Sequence, residues 1–284
     1  MLSQILRDLQ PFASRQRLLA EPMTFIREIT SRENPIYCYV KSLHDRKTAA
    51  KEGVVFLEGQ RLCEDALLFG NKPTYILFNE DKEALAISWC ERFSVSATSM
   101  CRLTNSLFEK LGNTNQPQGI AIVIPSPLWG DQIPVRGKDM YLVCENTQDP
   151  GNLGTMIRTA DAFDFSAVLL TGCVDPYNEK VLRASMGSCF HIPILQYETI
   201  HALCLNLTGL GVSLIASHLD GQSLTEATFQ YPLAICVGNE ARGLSAECSS
   251  LCDKMLKIPM PGKAESLNAS IAAAIFAYVA MNQK

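Results

Sequence analysis

Residues 140–172, MYLVCENTQDPGNLGTMIRTADAFDFSAVLLTG, decide the fold. An apolar run from Met140 to Cys144 ends at Glu145 and Asn146, and the polar turn TQDPG follows. Residues 153–163 then read as a helix, and AVLLTG is a second apolar run. Two short apolar runs joined by one helix form a strand–helix–strand unit, and such a crossover brings the strands together in parallel. Within the connection Pro150 and Gly151 make a turn, Asn152 is a candidate helix cap, and Gly154 permits a close approach.

The same alternation continues to the C-terminus. A helix across 178–187, HIPILQ, a helix from about 198, VSLIAS, LAICVG, MLKIPM and a final helix SLNASIAAAIFAYVAMNQ follow in turn. Upstream the pattern is a helix over roughly 38–51, the strand GVVFLEG, the helix QRLCEDALLFG and the strand TYILFN. A helix around 81–92, a short strand FSVSA, a helix around 104–111 and the strand IAIVI complete it. Strand and helix alternate throughout, so the fold class is α/β, with parallel crossovers expected in the C-terminal half. PSPLWGDQIPVRG, with three prolines and two glycines, reads as a linker over 126–137. It separates a smaller α/β domain, 34–125, from a C-terminal domain, 138–284. Residues 1–33 read as a helical extension, since Leu2, Ile5, Leu9, Leu18, Leu19, Phe25, Ile26 and Ile29 suggest two short amphipathic helices broken at Pro11 and Pro22.

The 284 residues are 47% hydrophobic and 19% charged, which suits a sizeable core and excludes a disordered chain. No apolar run reaches the ~20 residues of a membrane span, and charges sit in the first turns where a signal peptide would be apolar, so a cytoplasmic protein is expected. The eleven cysteines include no C-x2-C pair; only Cys248 and Cys252 lie close together, and the four histidines do not cluster. Reduced core thiols and no metal are the expectation. The net charge of −4 argues against a nucleic-acid partner, but its distribution does not. Up to Lys51 there are nine Lys and Arg against five Asp and Glu, which is compatible with a basic arm on an acidic body and equally with a solvated helix surface.

Three segments could carry chemistry. NTQDPGNLGTMIRTADAF places Arg158 one helical turn beyond Gly154; by itself it could be an ordinary loop with a surface arginine. It lacks both G-x-G-x-x-G and G-K-[ST], which removes the dinucleotide and P-loop readings. In VGNEARGLS a strand delivers Gly238, Asn239 and Glu240 to a turn closed by Gly243, the strand-end position where open α/β sheets bind ligands. A lone Glu there is also a common loop carboxylate. In KIPMPGKAESLNASIAAAI, Pro259, Pro261 and Gly262 hold irregular backbone before a small-residue helix, with Ser266 and Asn268 as caps or ligands. Free amides on a rigid apolar loop suit an adenine ring and a sulfonium-bearing ligand.

These three segments, in this order, resemble the SpoU/TrmH group of the SPOUT superfamily over about 138–284. The resemblance implies a ribose 2′-O-methyltransferase of RNA using S-adenosylmethionine, no metal, a parallel sheet with a deep C-terminal trefoil knot, and a homodimer with active sites near the interface. By the same resemblance Asn146, Arg158, Glu240, Ser266 and Asn268 are catalytic. The backbone at Gly238, Ile258 and Leu267, with Asn239 and Met260 beside it, holds the methyl donor. Asp164 departs from the family, which usually has Gly there. Residues 34–124 more loosely resemble the N-terminal substrate-binding domain of SpoU enzymes, an α/β module similar to RNA-binding ribosomal proteins. That implies phosphate contacts at Lys41, His44, Arg46, Lys47 and Lys51, and favours ribosomal over transfer RNA as the target. A catalytically silent RNA-binding factor of the same fold is the competing reading. A guanidinium is a poor base, so Arg158 is expected to orient the attacking oxygen, or to pass its proton through a phosphate.

Overall fold

The computed structural model describes residues 26–284 except 97, 98, 113 and 115; the helices expected in the first 25 residues lie outside the described residues. The N-terminal half runs β1 (Arg27–Ile29), α1 (Pro35–Ser42), α2 (Arg46–Glu52), β2 (Val54–Glu58), α3 (Gln60–Leu68), β3 (Tyr75–Phe78), α4 (Glu83–Phe93), β4 (Met100–Leu103), α5 (Asn105–Phe108) and β5 (Ile120–Pro125). Its sheet has the order β1-β4-β3-β5-β2. In this sheet β5 runs antiparallel to both β2 and β3, whereas β4 is parallel to β1 and β3.

Three local expectations are corrected. Arg27–Ile29 forms a strand beside β4 where a helix was read, and Ile29 is buried in the core. The helix over 38–51 is two helices, because two capping side chains start them separately: Asn34 Oδ1 accepts from Ile36 N (2.9 Å) and Asp45 Oδ2 from Thr48 N (3.0 Å). The strand placed at FSVSA lies at Met100–Leu103, since Phe93 completes α4 and Ser94 ends it in the left-handed region (φ 53°).

The C-terminal half runs β6 (Met140–Glu145), α6 (Pro150–Ala162), β7 (Ala167–Thr171), α7 (Glu179–Ser185), β8 (Ile194–Tyr197), α8 (Ile200–Gly209), β9 (Ser213–Ser223), β10 (Leu233–Val237), α9 (Ala246–Leu251), β11 (Lys254–Lys257) and α10 (Ala269–Met281). Its six strands, ordered β11-β9-β10-β6-β7-β8, are all parallel. The short helix α9, started by Ser245, had no counterpart in the sequence reading. Central strands β6 and β10 are neighbours with every residue of β10 buried, so their loops emerge side by side at one sheet edge. Gly154 has no space for a side chain, because a Cβ would stand 2.5 Å from that of Ala184; α6 and α7 pack backbone to backbone there. Asp164 takes the left-handed turn after α6 (φ 55°), the conformation a glycine adopts without strain.

One apolar core runs through both halves, joining Val55 and Ile122 to Leu142 and Phe276. Arg46 spans them, paired with the Asp175 carboxylate and donating to Tyr177 O (3.0 Å), while Phe69 stacks on His191 at 3.8 Å between centroids. Among the described residues no helix is long and apolar enough to cross a membrane.

Candidate active site

The edge where β6 and β10 end is built by short polar side chains. Asn146 leaves β6 in the left-handed region (φ 54°), and its N–H donates to Thr171 O at 2.8 Å. Asp149, not Asn152, caps α6: its Oδ1 accepts from Asn152 N at 2.7 Å. The Asn152 side chain is therefore free for another task. Its Nδ2 donates to Glu240 Oε1 (3.0 Å), and its Oδ1 accepts from Asn268 Nδ2 (2.9 Å). One amide thus joins all three segments singled out in the sequence. Asn268 in turn caps α10, with Oδ1 accepting from Ser270 N at 2.9 Å.

The turn after β10 folds back on itself. Asn239 and Gly243 exchange backbone hydrogen bonds of 3.0 and 2.9 Å, and Asn239 Nδ2 donates to Asn146 O at 2.9 Å. A Cβ on Gly238 would lie 2.1 Å from the Gly243 carbonyl carbon, so glycine is required there by close approach. Buried Glu145 anchors the far side of the turn, accepting from Ser245 N (2.8 Å) and Ser245 Oγ (2.6 Å). In the sequence Glu145 carries no functional signal, and Asn152 reads as a helix cap. Nothing in the local pattern marks either, because their partners lie 88 to 116 residues away.

This turn forms one wall of a cleft of about 430 Å³. All five expected donor-binding residues line it, Gly238, Asn239, Ile258, Met260 and Leu267, together with Glu240 and Ser266. Asn146, Arg158 and Asn268 are not part of its lining. Asn146 and Asn268 reach it through Asn239 and Asn152. Arg158 does not: it is exposed on α6, and its side chain has no hydrogen bond or ion pair among the described residues.

The five basic residues expected at a phosphate surface are not equivalent. Lys41 Nζ donates to Lys110 O (2.6 Å) and Leu111 O (3.2 Å), His44 Nε2 to Leu111 O (2.7 Å), and Arg46 is held between the two halves. Lys47 and Lys51 are both exposed on α2. A second cleft of about 380 Å³ lies between the halves, walled by Phe56 and Leu182. There burial pushes the Glu58 carboxyl upward against a hydrogen bond from Thr114.

Residues 139–278 match the SpoU rRNA methylase family, and residues 34–121 match the MRM3-like substrate-binding domain. The 23S rRNA (guanosine(2553)-2′-O)-methyltransferase RlmP of Bacillus subtilis is 33% identical over 89% of this chain and 98% of its own length. An uncharacterized tRNA/rRNA methyltransferase of Synechocystis is 32% identical over 91% of this chain and 95% of its own. The AdoMet-bound rRNA methyltransferase of Sinorhizobium meliloti superposes with a TM-score of 0.81 at 27% identity, covering 90% of this chain and 97% of the other. With full-length relatives above 30% identity and the three segments gathered at one sheet edge, the chain belongs to the SpoU rRNA methylase family.

Proposed function

We propose that this protein transfers a methyl group from S-adenosylmethionine to a ribose 2′-hydroxyl of 23S-type ribosomal RNA, as a homodimer whose C-terminal chain is knotted. The observation that carries the reading is the Glu240–Asn152–Asn268 hydrogen-bond chain at the rim of the 430 Å³ cleft. The cleft suits the donor: Gly238 lets the turn close against Gly243 and form one wall, Ile258, Met260 and Leu267 are apolar walls, and Asp220, Glu240 and Glu265 offer carboxylates to a cation.

Bound there, S-adenosylmethionine supplies an electrophilic methyl carbon. The ribose 2′-oxygen forms the new O–C bond as the C–S bond breaks, and the hydroxyl proton leaves to solvent or a phosphate. Glu240, held by Asn152, and the Asn268 amide orient the ribose, with Ser266 beside them and Asn146 positioning the Asn239 turn. Positioning is the main requirement of such a displacement. Arg158 orients the attacking oxygen and stabilises its developing negative charge. Because Arg158 stands outside the cleft of its own chain, the dimer completes the site. Exposed Leu267, Ile271 and Tyr278 on and before α10 offer the apolar surface for it. The knot reading is supported by strand order: β11 lies at the sheet edge beyond β9, yet the chain returns to pack α10 against α6 and β10.

The test is transfer of label from S-adenosylmethionine to rRNA and tRNA from a strain lacking the protein, followed by nuclease digestion. Label in one 2′-O-methylated rRNA nucleotide is expected, with Arg158→Ala lowering the rate about 10²–10³-fold while donor binding persists. A fully active Arg158→Ala, label in tRNA alone, or sedimentation of the active protein as a monomer overturns the corresponding part.

A further inference from the structure

On the face of the C-terminal sheet opposite α10, three thiols converge. Cys236 on β10 and Cys248 on α9 are fully buried, and Cys252 immediately after α9 is half-buried. Their sulfurs all lie within 4.8 Å of one another. Cys204 on α8 is also buried and belongs to the same apolar cluster, outside this group of three. Leu203, Leu207 and Leu244 belong to the same apolar cluster. All eleven cysteines are free, and among the described residues this is where potential metal ligands gather in a group of three.

Four-coordinate zinc with Zn–S bonds of about 2.3 Å holds its sulfurs about 3.8 Å apart. The three thiols therefore need to draw in by about 1 Å at most, within the reach of small side-chain rotations. A disulfide needs two sulfurs at about 2.05 Å and leaves the third unused. The geometry points to a site in which Cys236, Cys248 and Cys252 bind one soft, closed-shell metal ion, Zn²⁺ or Cu⁺, as three thiolates. Thiolates select these ions over hard cations. Binding releases the thiol protons and leaves the ion's oxidation state unchanged. The ion ties α9 to β10 directly behind Val237 and Gly238, which line the cleft on the other side of the turn. This site does not depend on the methyl-transfer reading.

The experiment uses the full chain purified under a non-thiol reductant without chelator. Metal content is measured by mass spectrometry before and after reconstitution with Zn²⁺, Co²⁺ or Cu⁺. One ion per chain is expected, with thiolate-to-cobalt charge-transfer absorption in the Co²⁺ form and a higher Tm than the chelated protein. Cys252→Ser, at the half-buried edge, should lose the ion and the absorption while keeping its circular dichroism. Cys38→Ser, on the exposed face of α1, should keep both. Should Cys236→Ser fail to fold, Cys252→Ser still decides. Folded wild-type protein holding no more metal than Cys252→Ser overturns the proposal, as does a disulfide within the group that yields no metal binding once reduced.

Discussion

Asn152 shows how one side chain can serve three segments. Asp149 satisfies the first turn of α6, so the Asn152 amide is available to donate to Glu240 and accept from Asn268. Asn152→Ala removes both hydrogen bonds without removing a cap. One of them ends on a carboxylate, and such bonds are worth about 1.5–3 kcal/mol. The expected result is a kcat about 10–100-fold lower with little change in Tm, read by single-turnover methyl transfer and calorimetry. An unchanged kcat would return Asn152 to a helix-surface role. Asp164 illustrates the opposite case at this scale: an aspartate takes a left-handed turn, a conformation that glycine adopts without strain.

At the scale of the element, β6 is fixed at both ends by carboxylates. Glu145 holds the Ser245 end, and Asp139, only 1% exposed, precedes the strand. Burial alone would raise the Asp139 carboxyl, but hydrogen bonds from Ser166 Oγ and from the backbone N–H groups of Arg136 (2.7 Å) and Gly137 (2.8 Å) outweigh it and hold it below its ordinary value. A carboxylate depressed on folding stabilises above its unfolded pKa, and that stability is lost as pH falls through the folded value. Asp139→Asn should therefore cost about 1–3 kcal/mol near pH 7. The gap to wild type in urea titrations should shrink below about pH 4, where the unfolded carboxyl protonates. A gap that stays constant with acid would mean that shape, not the ionised group, supports the strand.

Across the whole molecule, the basic residues before β2 divide into a joint and a surface. Arg46 fastens the two halves through Asp175 and Tyr177, whereas Lys47 and Lys51 face solvent. Removing both lysines should weaken RNA binding and reduce the slope of log K against log salt by up to about 1.4–1.8, because each phosphate contact contributes about 0.7–0.9. Filter binding across a salt series checks this, and an unchanged slope would make them a solvated helix face. The sequence by itself determined the alternation of strands and helices, the parallel C-terminal sheet and the three segments of the site, because apolar periodicity, proline and glycine turns and short motifs are local properties of the chain. Only the tertiary structure decided that β5 runs antiparallel, that Arg46 turns inward, that Asn152 links Glu240 to Asn268, and that Cys236 joins Cys248 and Cys252. Each of these depends on which distant segments the sheet order brings into contact, and side-chain hydrogen bonding and thiol proximity act over a few ångströms of space, whatever the separation along the chain.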